Sequence, residues 1–304
     1  MPKTKRYMLI VNPEAGSGRT MKVLPQIENI LRTKKVEYEF HFTQEPRHAT
    51  ELVKEIGSKF DVIVSVGGDG TINEVINGLP DFKIPFGMIP IGTGNDFARS
   101  CSIPYNSIEE AIQILMNHDV KNIDVGEVNG RKFINVLGMG FEGQTNWNGR
   151  KIEFIKGAFR YILAIVYTLI AYKRIPMKLT LDKKVLDDDI YLVSIGNGWN
   201  VGGGLQLTPK AKLDDGLFDI CYVKEISRWR VITNFAKLSN GTVTDLDEIE
   251  IYQAKHIKVE STVVIPIHFD GEIFKEKSKI FDIKINPKAQ PIIGNWAGDK
   301  RFES

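Results

Sequence analysis

Five consecutive residues of this 304-residue chain, Gly67-Gly68-Asp69-Gly70-Thr71, have the types and spacing of a phosphate-binding loop. They follow the apolar run Val62–Val66 and precede Ile72–Ile76, so a strand, a glycine turn and a helix start are expected to meet there. Glycines let backbone N–H groups approach a ligand closely, and a helix N-terminus favours an anion. Asp69 would repel phosphates unless a cation lay between, so the loop indicates a nucleotide bound with Mg²⁺. A plain strand-to-helix turn would explain only one or two of the glycines.

Two further motifs accompany this loop. Asn12-Pro13 is followed by Gly16-Ser17-Gly18, and the run Gly92–Arg99 reads Gly-Thr-Gly-Asn-Asp-Phe-Ala-Arg. In this order and spacing, the three motifs resemble the diacylglycerol kinase-like lipid kinases, in particular the soluble bacterial enzymes, over most of the chain. The first motif alone would be weak. The loop Gly67–Thr71 alone would leave NAD kinases and sphingosine or ceramide kinases equally open.

The resemblance implies an ATP site at these loops, with the phosphates on Gly67–Thr71. The residues expected to bind ATP are Asn12, Pro13, Thr43, Gly67, Gly68, Asp69, Gly70, Thr71, Asn73, Thr93 and Asn95. Asp69, Asp96 and Asp124 match acidic positions of the family and are expected to hold a catalytic Mg²⁺ or its water shell.

A second metal site is implied in the acidic segment Lys210–Asp219. By sequence alone the segment favours a turn before a strand. Soluble bacterial members of the family hold a structural Mg²⁺ at this motif, which here implies the backbone carbonyls of Lys212 and Leu217 with the carboxylate of Asp215. Hard oxygen ligands around a turn suit Mg²⁺.

The segment Phe269-Asp270-Gly271-Glu272 is expected to carry the catalytic base. Asp-Gly by itself predicts a hairpin turn. The resemblance makes Glu272 the proton acceptor, and Glu272 and Asp69 are therefore the expected catalytic residues. A lipid hydroxyl is a poor nucleophile, and an ionised carboxylate within hydrogen-bond reach can accept its proton as the phosphoryl group transfers.

The first part of the chain alternates in the manner of βαβ units. Strands are predicted at Tyr7–Val11, Glu37–Thr43, Asp61–Val66 and Phe86–Ile91, separated by helices at Met21–Thr33, Arg47–Gly57 and Ile72–Leu79. Such alternation requires crossovers and a mostly parallel sheet. Ligands bind beyond the carboxyl ends of such strands, where Asn12, Thr43, Gly67 and Gly92 fall. We expect residues 1–126 to form a nucleotide-binding α/β domain of the NAD kinase and diacylglycerol kinase-like type.

After residue 123 the pattern changes to short extended runs. They are Asp124–Val128, Lys132–Leu137, Met177–Leu181, Asp189–Gly196, Leu217–Val223, Glu250–Val259, Val263–Phe269 and Ile280–Ile285. This pattern predicts a C-terminal β-sandwich domain with inserted helices, residues 127–304, which would receive the lipid acceptor. By resemblance, the residues from Pro291 onward are expected to pack back on the first domain.

The stretch Ala158–Ala171 is apolar almost all round a helix and contains one charge, Arg160. It is shorter than the roughly 20 residues that cross a bilayer. We expect a helix buried beside the sandwich. The functional alternative is that the helix, with Lys151, Lys156, Lys173 and Arg174 nearby, borders a lipid access groove or touches an anionic membrane surface.

Composition excludes several classes of protein. A hydrophobic share of 42% and a charged share of 26% are those of a globular domain, and the formal charge of +2 offers no excess for a nucleic-acid backbone. Two distant cysteines, Cys101 and Cys221, predict neither a disulfide framework nor a metal site. With no apolar signal segment before Tyr7, we expect a cytoplasmic protein, peripheral at the inner membrane face.

The run Gly138-Met139-Gly140-Phe141-Glu142-Gly143 fits the dinucleotide-binding fingerprint by its letters. It lacks the acidic residue about 20 positions later and the surrounding βαβ unit, so we discount it. The resemblance places this segment near an interdomain cleft, and Glu142 is left without a role.

The expected function is an ATP-dependent and Mg²⁺-dependent kinase that transfers the γ-phosphoryl group to a lipid hydroxyl, with diacylglycerol giving phosphatidic acid. Expected partners are ATP, a lipid alcohol and, transiently, a membrane surface, with no nucleic acid. A homodimer and the identity of the lipid are left open. The alternatives are a kinase of a soluble acceptor such as NAD and a regulator that binds lipid or nucleotide without turnover.

Overall fold

The chain divides into two units, which are described separately below. The computed structural model describes residues 5–79, 83–151, 158–273 and 277–298, without the side chains of residue 150 and residues 158–162. The first unit runs to Ile123 and takes up the chain again from Lys288, and the second is Asp124–Pro287.

A parallel sheet forms the centre of the first unit. Its strands are β1 (Arg6–Val11), β2 (Glu37–Phe42), β3 (Val62–Gly67) and β4 (Phe86–Pro90), in the spatial order β2-β1-β3-β4. The residues of β3 and β4 are buried along their whole length, as expected for parallel strands covered on both faces. The order reverses at β1, so the mostly parallel α/β prediction for this part of the chain is confirmed.

Helices connect these strands. They are α1 (Ala15–Thr33), α2 (His48–Ile56), α3 (Asp69–Gly78), α4 (Asp96–Ser100) and α5 (Ile108–Asn117). Apolar residues at helical spacing face the sheet: Ile27 and Leu31 of α1 pack in one cluster with Ile112 and Leu115 of α5. The helix α3 begins at Asp69, three residues before the predicted start at Ile72, because the glycine loop itself supplies its first turn.

Antiparallel strands form the second unit, although the first of them begins and the last of them ends in the first unit. They are β5 (Val120–Val128), β6 (Arg131–Phe133), β7 (Val136–Gly140), β8 (Ile175–Leu181), β9 (Lys184–Ile190), β10 (Leu192–Gly196), β11 (Phe218–Val223), β12 (Glu250–Ala254), β13 (His256–Glu260), β14 (Ile267–Phe269), β15 (Glu272–Ile273) and β16 (Ile280–Ile293). One sheet has the order β12-β11-β10-β7-β14-β15. In the other, β13 lies between β16 and β8, and β9 follows β8.

The two sheets of this unit share one core. Alternate residues of each strand point inward, among them Leu179 of β8 and Phe281 of β16 from one sheet and Ile195 of β10 and Ile220 of β11 from the other. The β-sandwich prediction is therefore confirmed.

Several strand boundaries differ from the prediction for a common reason. The predicted strand Lys132–Leu137 is interrupted at Ile134-Asn135, whose N–H groups donate to the carboxylate of Asp270. The predicted strand Glu250–Val259 divides at Lys255, whose N–H donates to Asp182. A side-chain acceptor removes each N–H from the strand ladder, and residue periodicity does not reveal such an acceptor.

The end of β16 belongs to the first unit. Ile292 pairs with Phe86 of β4 in parallel orientation, and the N–H of Gly294 donates to the carbonyl of Asp119 at 3.1 Å. The indole Nε1 of Trp296 donates to the same carbonyl at 3.1 Å. A strand predicted to end at Ile285 thus continues to Ile293, and its last residues pack within the unit that contains β4.

The helices of the second unit are α6 (Phe141–Lys151), α7 (Ala158–Ala171), α8 (Arg228–Thr233) and α9 (Phe235–Asn240). The apolar helix α7 is buried on one face only: Ala164 and Leu169 are inside, whereas Tyr167 is 60% and Ile170 is 63% exposed. Lys156, considered above beside this helix, lies outside the described residues. In the part of the chain that is described, no helix combines the length and apolarity needed to cross a membrane.

Candidate functional site

Three loops meet at the carboxyl edge of the sheet in the first unit. The N–H groups of Ile91 and Gly92, just after β4, both donate to the carbonyl of Gly67 at the end of β3, at 2.7 and 3.2 Å. The N–H of Asn12, just after β1, donates to the carbonyl of Val66 at 3.0 Å. The structure therefore brings together the three motifs that the sequence separates by up to 80 residues.

Glycine is required where these loops touch. A Cβ built on Gly92 would lie 2.5 Å from the Cα of Gly68, and one on Gly16 would lie 2.3 Å from the carbonyl oxygen of Ile91. Both neighbours are backbone atoms, so neither can rotate away. The loops are packed backbone against backbone, which leaves their N–H groups close to any ligand above them.

Asn12 links the first loop to the second. Its Nδ2 donates to Thr71 Oγ1 at 3.0 Å, and its Oδ1 accepts from the N–H of Glu14 at 3.0 Å. Between Pro13 and the regular part of α1, the residues Gly16-Ser17-Gly18 all have left-handed backbone conformations, with φ of 59°, 60° and 82°. The helix predicted to start at Met21 is therefore preceded by a tight left-handed loop.

Two carboxylates converge above Gly94. Oδ2 of Asp96 and Oδ2 of Asp69 lie 3.0 and 3.1 Å from the position that a Cβ on Gly94 would occupy. Oδ1 of Asp69 accepts from the N–H of Phe97 at 3.1 Å, in the first turn of α4. Burial raises the pKa of Asp69, and backbone N–H donors, that of Phe97 first, oppose the rise. A cation between the two carboxylates would remove their mutual repulsion.

The other predicted ATP-binding residues lie at the same edge or in α3. Thr43 follows β2 and its N–H donates to the carbonyl of Val11, while Thr93 is exposed in the loop after β4. Asn95 is buried, donates from Nδ2 to the carbonyl of Gly92 at 2.8 Å, and has an Oδ1 without a hydrogen-bond partner among the described residues. Asn73 is buried inside α3, where its side chain accepts from Asn77.

In the second unit, Asp270 holds the turn that carries Glu272. Oδ2 of Asp270 accepts from the N–H of Ile134 at 2.9 Å, and Oδ1 accepts from those of Asn135 and Val136 at 2.9 and 3.2 Å. Asp270 and Gly271 have positive φ values of 48° and 77°, as in a tight hairpin. Glu272 begins β15 opposite Phe269 and is partly buried. The sequence indicated the turn but not the three N–H groups that fix it.

The predicted structural metal loop is tied to Asp124. The N–H of Gly216 donates to Asp124 Oδ2 at 2.6 Å, and the N–H of Asp124 donates to the carbonyl of Leu213 at 2.6 Å. Asp124 thus contacts the loop between Lys212 and Leu217 in the second unit, whereas Asp69 and Asp96 belong to the first.

A further carboxylate, which residue periodicity does not distinguish, lies near this loop. Asp219 is buried on β11 and its Oδ2 has no hydrogen-bond partner within the described part of the chain. Burial first, and then the charge of Asp215, raise the pKa of Asp219 to about 6. Burial also raises the pKa of Asp215, whose Oδ1 accepts from the N–H of Leu217 at 3.0 Å.

Two carboxylates with raised pKa values beside a turn fit a hard divalent cation. No group of three or more His, Cys, Asp or Glu side chains in residues 5–79, 83–151, 158–273 and 277–298 is arranged to hold a metal ion. A cation here would therefore need backbone carbonyls and water as well as Asp215 and Asp219.

An apolar cavity lies on the outer face of the β10–β11 sheet, wholly inside the second unit. Its interior holds about 100 Å³, and it opens to solvent at its mouth. Residues from α6, α7, α8 and both strands line it: Phe141, Ile165, Leu192, Val223 and Val231. Glu142 and Arg230 are polar members of the lining, and Arg230 is held by two hydrogen bonds to Glu248, at 2.7 and 3.0 Å.

Comparisons with known proteins agree over both units. Residues 6–128 match the family described as diacylglycerol kinase catalytic domain, and residues 135–294 match that described as YegS C-terminal NAD kinase beta sandwich-like domain. Diacylglycerol kinase from Bacillus subtilis (strain 168) is 32% identical over 274 residues, which cover 88% of this chain and 90% of that protein. Diacylglycerol kinase from Staphylococcus saprophyticus is 30% identical, covering 88% and 89%.

A solved structure supports the same assignment. The crystal structure of a diacylglycerol kinase from Bacillus anthracis str. Sterne has a TM-score of 0.74 and 29% sequence identity, and the match covers 98% of this chain and 99% of that one. On these matches, and on the glycine loops that the structure brings together, the chain belongs to the diacylglycerol kinase family.

Proposed function

We propose that this protein is an ATP-dependent lipid kinase that transfers the γ-phosphoryl group of ATP to a lipid hydroxyl, with diacylglycerol as an acceptor and phosphatidic acid as its product. The observation that carries the lipid assignment is the apolar cavity of the second unit, which a soluble acceptor such as NAD would not need. The names of the similar proteins support the same acceptor.

The glycine loops of the first unit bind the nucleotide in this proposal. The phosphates of ATP lie against the N–H groups of Gly67–Thr71 at the N-terminus of α3, where the helix dipole favours negative charge. Asn12, Pro13, Thr43, Asn73, Thr93 and Asn95 complete the site. Because the loops are fixed backbone to backbone, they position the γ-phosphoryl group without reorganisation, which is most of what phosphoryl transfer requires.

Asp69 and Asp96 are the proposed side chains for a catalytic Mg²⁺, because their carboxylates converge above Gly94. When bound, Mg²⁺ offsets negative charge on the transferring phosphoryl group. We assign Asp124 to the Gly216 turn, since that N–H occupies its Oδ2. For the structural Mg²⁺ we propose the carbonyls of Lys212 and Leu217 with Asp215, and we add Asp219.

Glu272 is the proposed general base. It takes the proton of the acceptor hydroxyl as that oxygen forms a bond to the γ-phosphorus, the bond to the bridging oxygen breaks, and ADP leaves with the electron pair. Asp270 accepts hydrogen bonds from the N–H groups of Asn135 and Val136, so the turn that precedes Glu272 is fixed to the start of β7. Such a base contributes roughly 10² to 10⁴-fold in rate.

A lipid acceptor implies transient contact with a membrane, and we propose the cytoplasmic face. An exposed aromatic and apolar face supports this: Trp229 of α8 is 77% exposed, and Arg228 beside it donates to the carbonyl of Ile170 at 2.6 Å. Aromatic side chains next to cations suit the interface of an anionic bilayer.

The direct test is an assay with labelled ATP and Mg²⁺, in which dioleoylglycerol in phosphatidylglycerol vesicles and, separately, NAD are offered as acceptors. We expect label in phosphatidic acid, identified by mass, and none in NADP. Asp69→Asn should abolish the product, whereas Asp61→Asn, at the opposite end of β3, should not. Label transfer to NAD alone would contradict the proposal, and ATP binding without any product would indicate a regulator.

A further inference from the structure

A buried carboxylate–imidazole pair borders the apolar cavity. Glu142, in the first turn of α6, and His268, on β14, are 4% and 2% exposed, and Glu142 Oε1 lies 2.9 Å from His268 Nε2. The pair is far from the glycine loops in sequence, and the mechanism above does not use it. Two titratable groups inside an apolar region need an explanation, because burying them costs free energy unless they are fully paired.

Gly138 makes room for the pair. It lies between Ser194 of β10 and His268 of β14 in the sheet register. A Cβ on Gly138 would lie 2.3 Å from Glu142 Cδ and 2.5 Å from His268 Nε2. Ile267 and Phe269, the neighbours of His268, point into the sandwich core, so His268 points to the opposite face, toward α6.

The pair does not satisfy itself. Glu142 Oε2 and His268 Nδ1 have no hydrogen-bond partner among the described residues. An unmade hydrogen bond of a buried group costs about 1–3 kcal/mol, and more for a charged one. Glu142 is also one of the few polar residues lining the cavity, so a ligand in the cavity can supply the missing donor.

We propose that Glu142 Oε2 accepts a hydrogen bond from a hydroxyl or amine of the lipid acceptor, in addition to the hydroxyl that is phosphorylated. This inference rests on the proposed function, and it refines the acceptor class. Lipids with a second donor are preferred over diacylglycerol, whose remaining oxygens are esterified and can only accept.

The second donor belongs near the head of the lipid rather than far along its chain. His268 pairs with Ile273, the residue after Glu272, so roughly 6 Å separate the Cα atoms of His268 and Glu272. Their side chains point to opposite faces of this short hairpin. His268, the partner of Glu142, and the proposed base therefore share one two-strand element at the edge of the sheet.

The test uses lipids that differ by one hydroxyl. The parent is the stearoyl monoester of 1,3-propanediol, and the hydroxylated forms are 1-stearoylglycerol and the propanediol esters of 2-hydroxystearate and 12-hydroxystearate. We expect kcat/KM to rise about tenfold or more for 1-stearoylglycerol or the 2-hydroxy ester, as for other hydrogen bonds to charged groups. The 12-hydroxy ester should gain less than threefold.

Substitutions of Glu142 test whether the Glu142–His268 pair causes the preference for hydroxylated lipids. The measured quantity is kcat/KM for the preferred hydroxylated lipid divided by kcat/KM for the parent lipid. Glu142→Leu should lower this ratio to about two or less. Glu142→Gln, which keeps an acceptor but loses the charge, should give an intermediate ratio. Gln144→Leu, two residues along α6, should leave the ratio at the wild-type value. If Glu142→Leu fails to fold by circular dichroism, the Glu142→Gln ratio decides.

Equal rates on the parent and all three hydroxylated lipids would overturn the inference, as would a preference that neither Glu142 variant reduces. If the wild-type protein phosphorylates neither these lipids nor dioleoylglycerol, the proposed function fails instead. The Kd values of the same four lipids, measured by calorimetry without ATP, then decide the inference on their own. We expect the lowest Kd for 1-stearoylglycerol or the 2-hydroxy ester. Equal Kd values for the four lipids would overturn the inference.

Discussion

The glycine loops of the first unit and the Asp270 turn of the second are both rigid, but they are fixed in different ways. At the loops, backbone touches backbone, and a methyl group on Gly92 would be 2.5 Å from the Cα of Gly68. At the turn, the Asp270 carboxylate accepts hydrogen bonds from the N–H groups of Ile134, Asn135 and Val136. The first arrangement depends on the absence of side chains and the second on a charged one. Substitutions should therefore damage the two regions in distinguishable ways.

Of the substitutions that compare the loops with the turn, Gly92→Ala should have the largest effect. The added methyl group forces the loops after β3 and β4 apart, and displacing a binding loop by about 1 Å can cost roughly 100-fold. We expect the Kd for ATP to rise by about that factor or more, together with a loss of unfolding free energy of about 1–3 kcal/mol. Calorimetry and chemical denaturation measure the two quantities.

Gly149→Ala is the matched control. The new Cβ on α6 would lie 3.5 Å from Ala164, an ordinary contact, and Ala is favoured over Gly in a helix by roughly 1 kcal/mol. Stability should stay the same or rise, with unchanged ATP binding. Unchanged ATP affinity in Gly92→Ala would show that close backbone approach does not shape the nucleotide site.

Asp270→Asn should separate turnover from nucleotide binding. An amide cannot accept three N–H groups as a carboxylate does, so we expect a loss of about 2–3 kcal/mol of unfolding free energy. Turnover should fall roughly 10- to 100-fold because Glu272 is displaced. The Kd for ATP should stay within about twofold, because Asp270 belongs to the second unit.

The exposed Asp189→Asn, in the same unit, should change unfolding free energy by less than about 0.5 kcal/mol. If Asp270→Asn weakened ATP binding as strongly as it lowered turnover, the two regions would not be independent.

Asp219→Asn should have the smallest effect, on pH dependence. The pKa of Asp219 is about 6 in the folded chain and about 4 when unfolded, so the folded state binds more protons between these values. Without metal, this contribution to stability is present below about pH 4 and is lost as pH rises to about 6. The free energy of unfolding of the wild-type protein, minus that of Asp219→Asn, should therefore decrease over this pH range.

Bound Mg²⁺ should offset the loss of unfolding free energy that the charged Asp219 carboxylate causes. At pH 7 we expect Mg²⁺ to raise the Tm of the wild-type protein by a few degrees, as for any ligand that binds only the folded state, and to raise that of Asp219→Asn less. Identical Mg²⁺ responses in the two proteins would remove Asp219 from the metal site.

The fold of the first unit could be predicted because its determinants are local. Strands β1, β3 and β4 are mostly apolar runs, a polar or glycine residue lies at or within two positions of each carboxyl end, and parallel strands bring those ends to one edge. Asn12, Gly67 and Gly92 therefore meet without any long-range information beyond the sheet order.

The details of the second unit could not be predicted because its determinants are distant pairs. Asp270 meets Ile134 across 136 positions, and His268 meets Glu142 across 126. Neither pair leaves a trace in residue periodicity, so the break between β6 and β7 and the position of Glu142 were unforeseen. Asp219 was overlooked because alternation marks it as an ordinary strand residue, and only its unpartnered Oδ2 distinguishes it.

The most direct test of Glu272 as the general base uses the Glu272→Gln variant. Its ATP affinity and its phosphorylation of dioleoylglycerol are measured in the same preparation, with the exposed Glu225→Gln as control. We expect an ATP Kd within about twofold of wild type and a turnover lower by roughly 10² to 10⁴-fold, with the control unchanged in both. Near wild-type turnover by folded Glu272→Gln would contradict the assignment of Glu272 as the base that takes the proton of the acceptor hydroxyl.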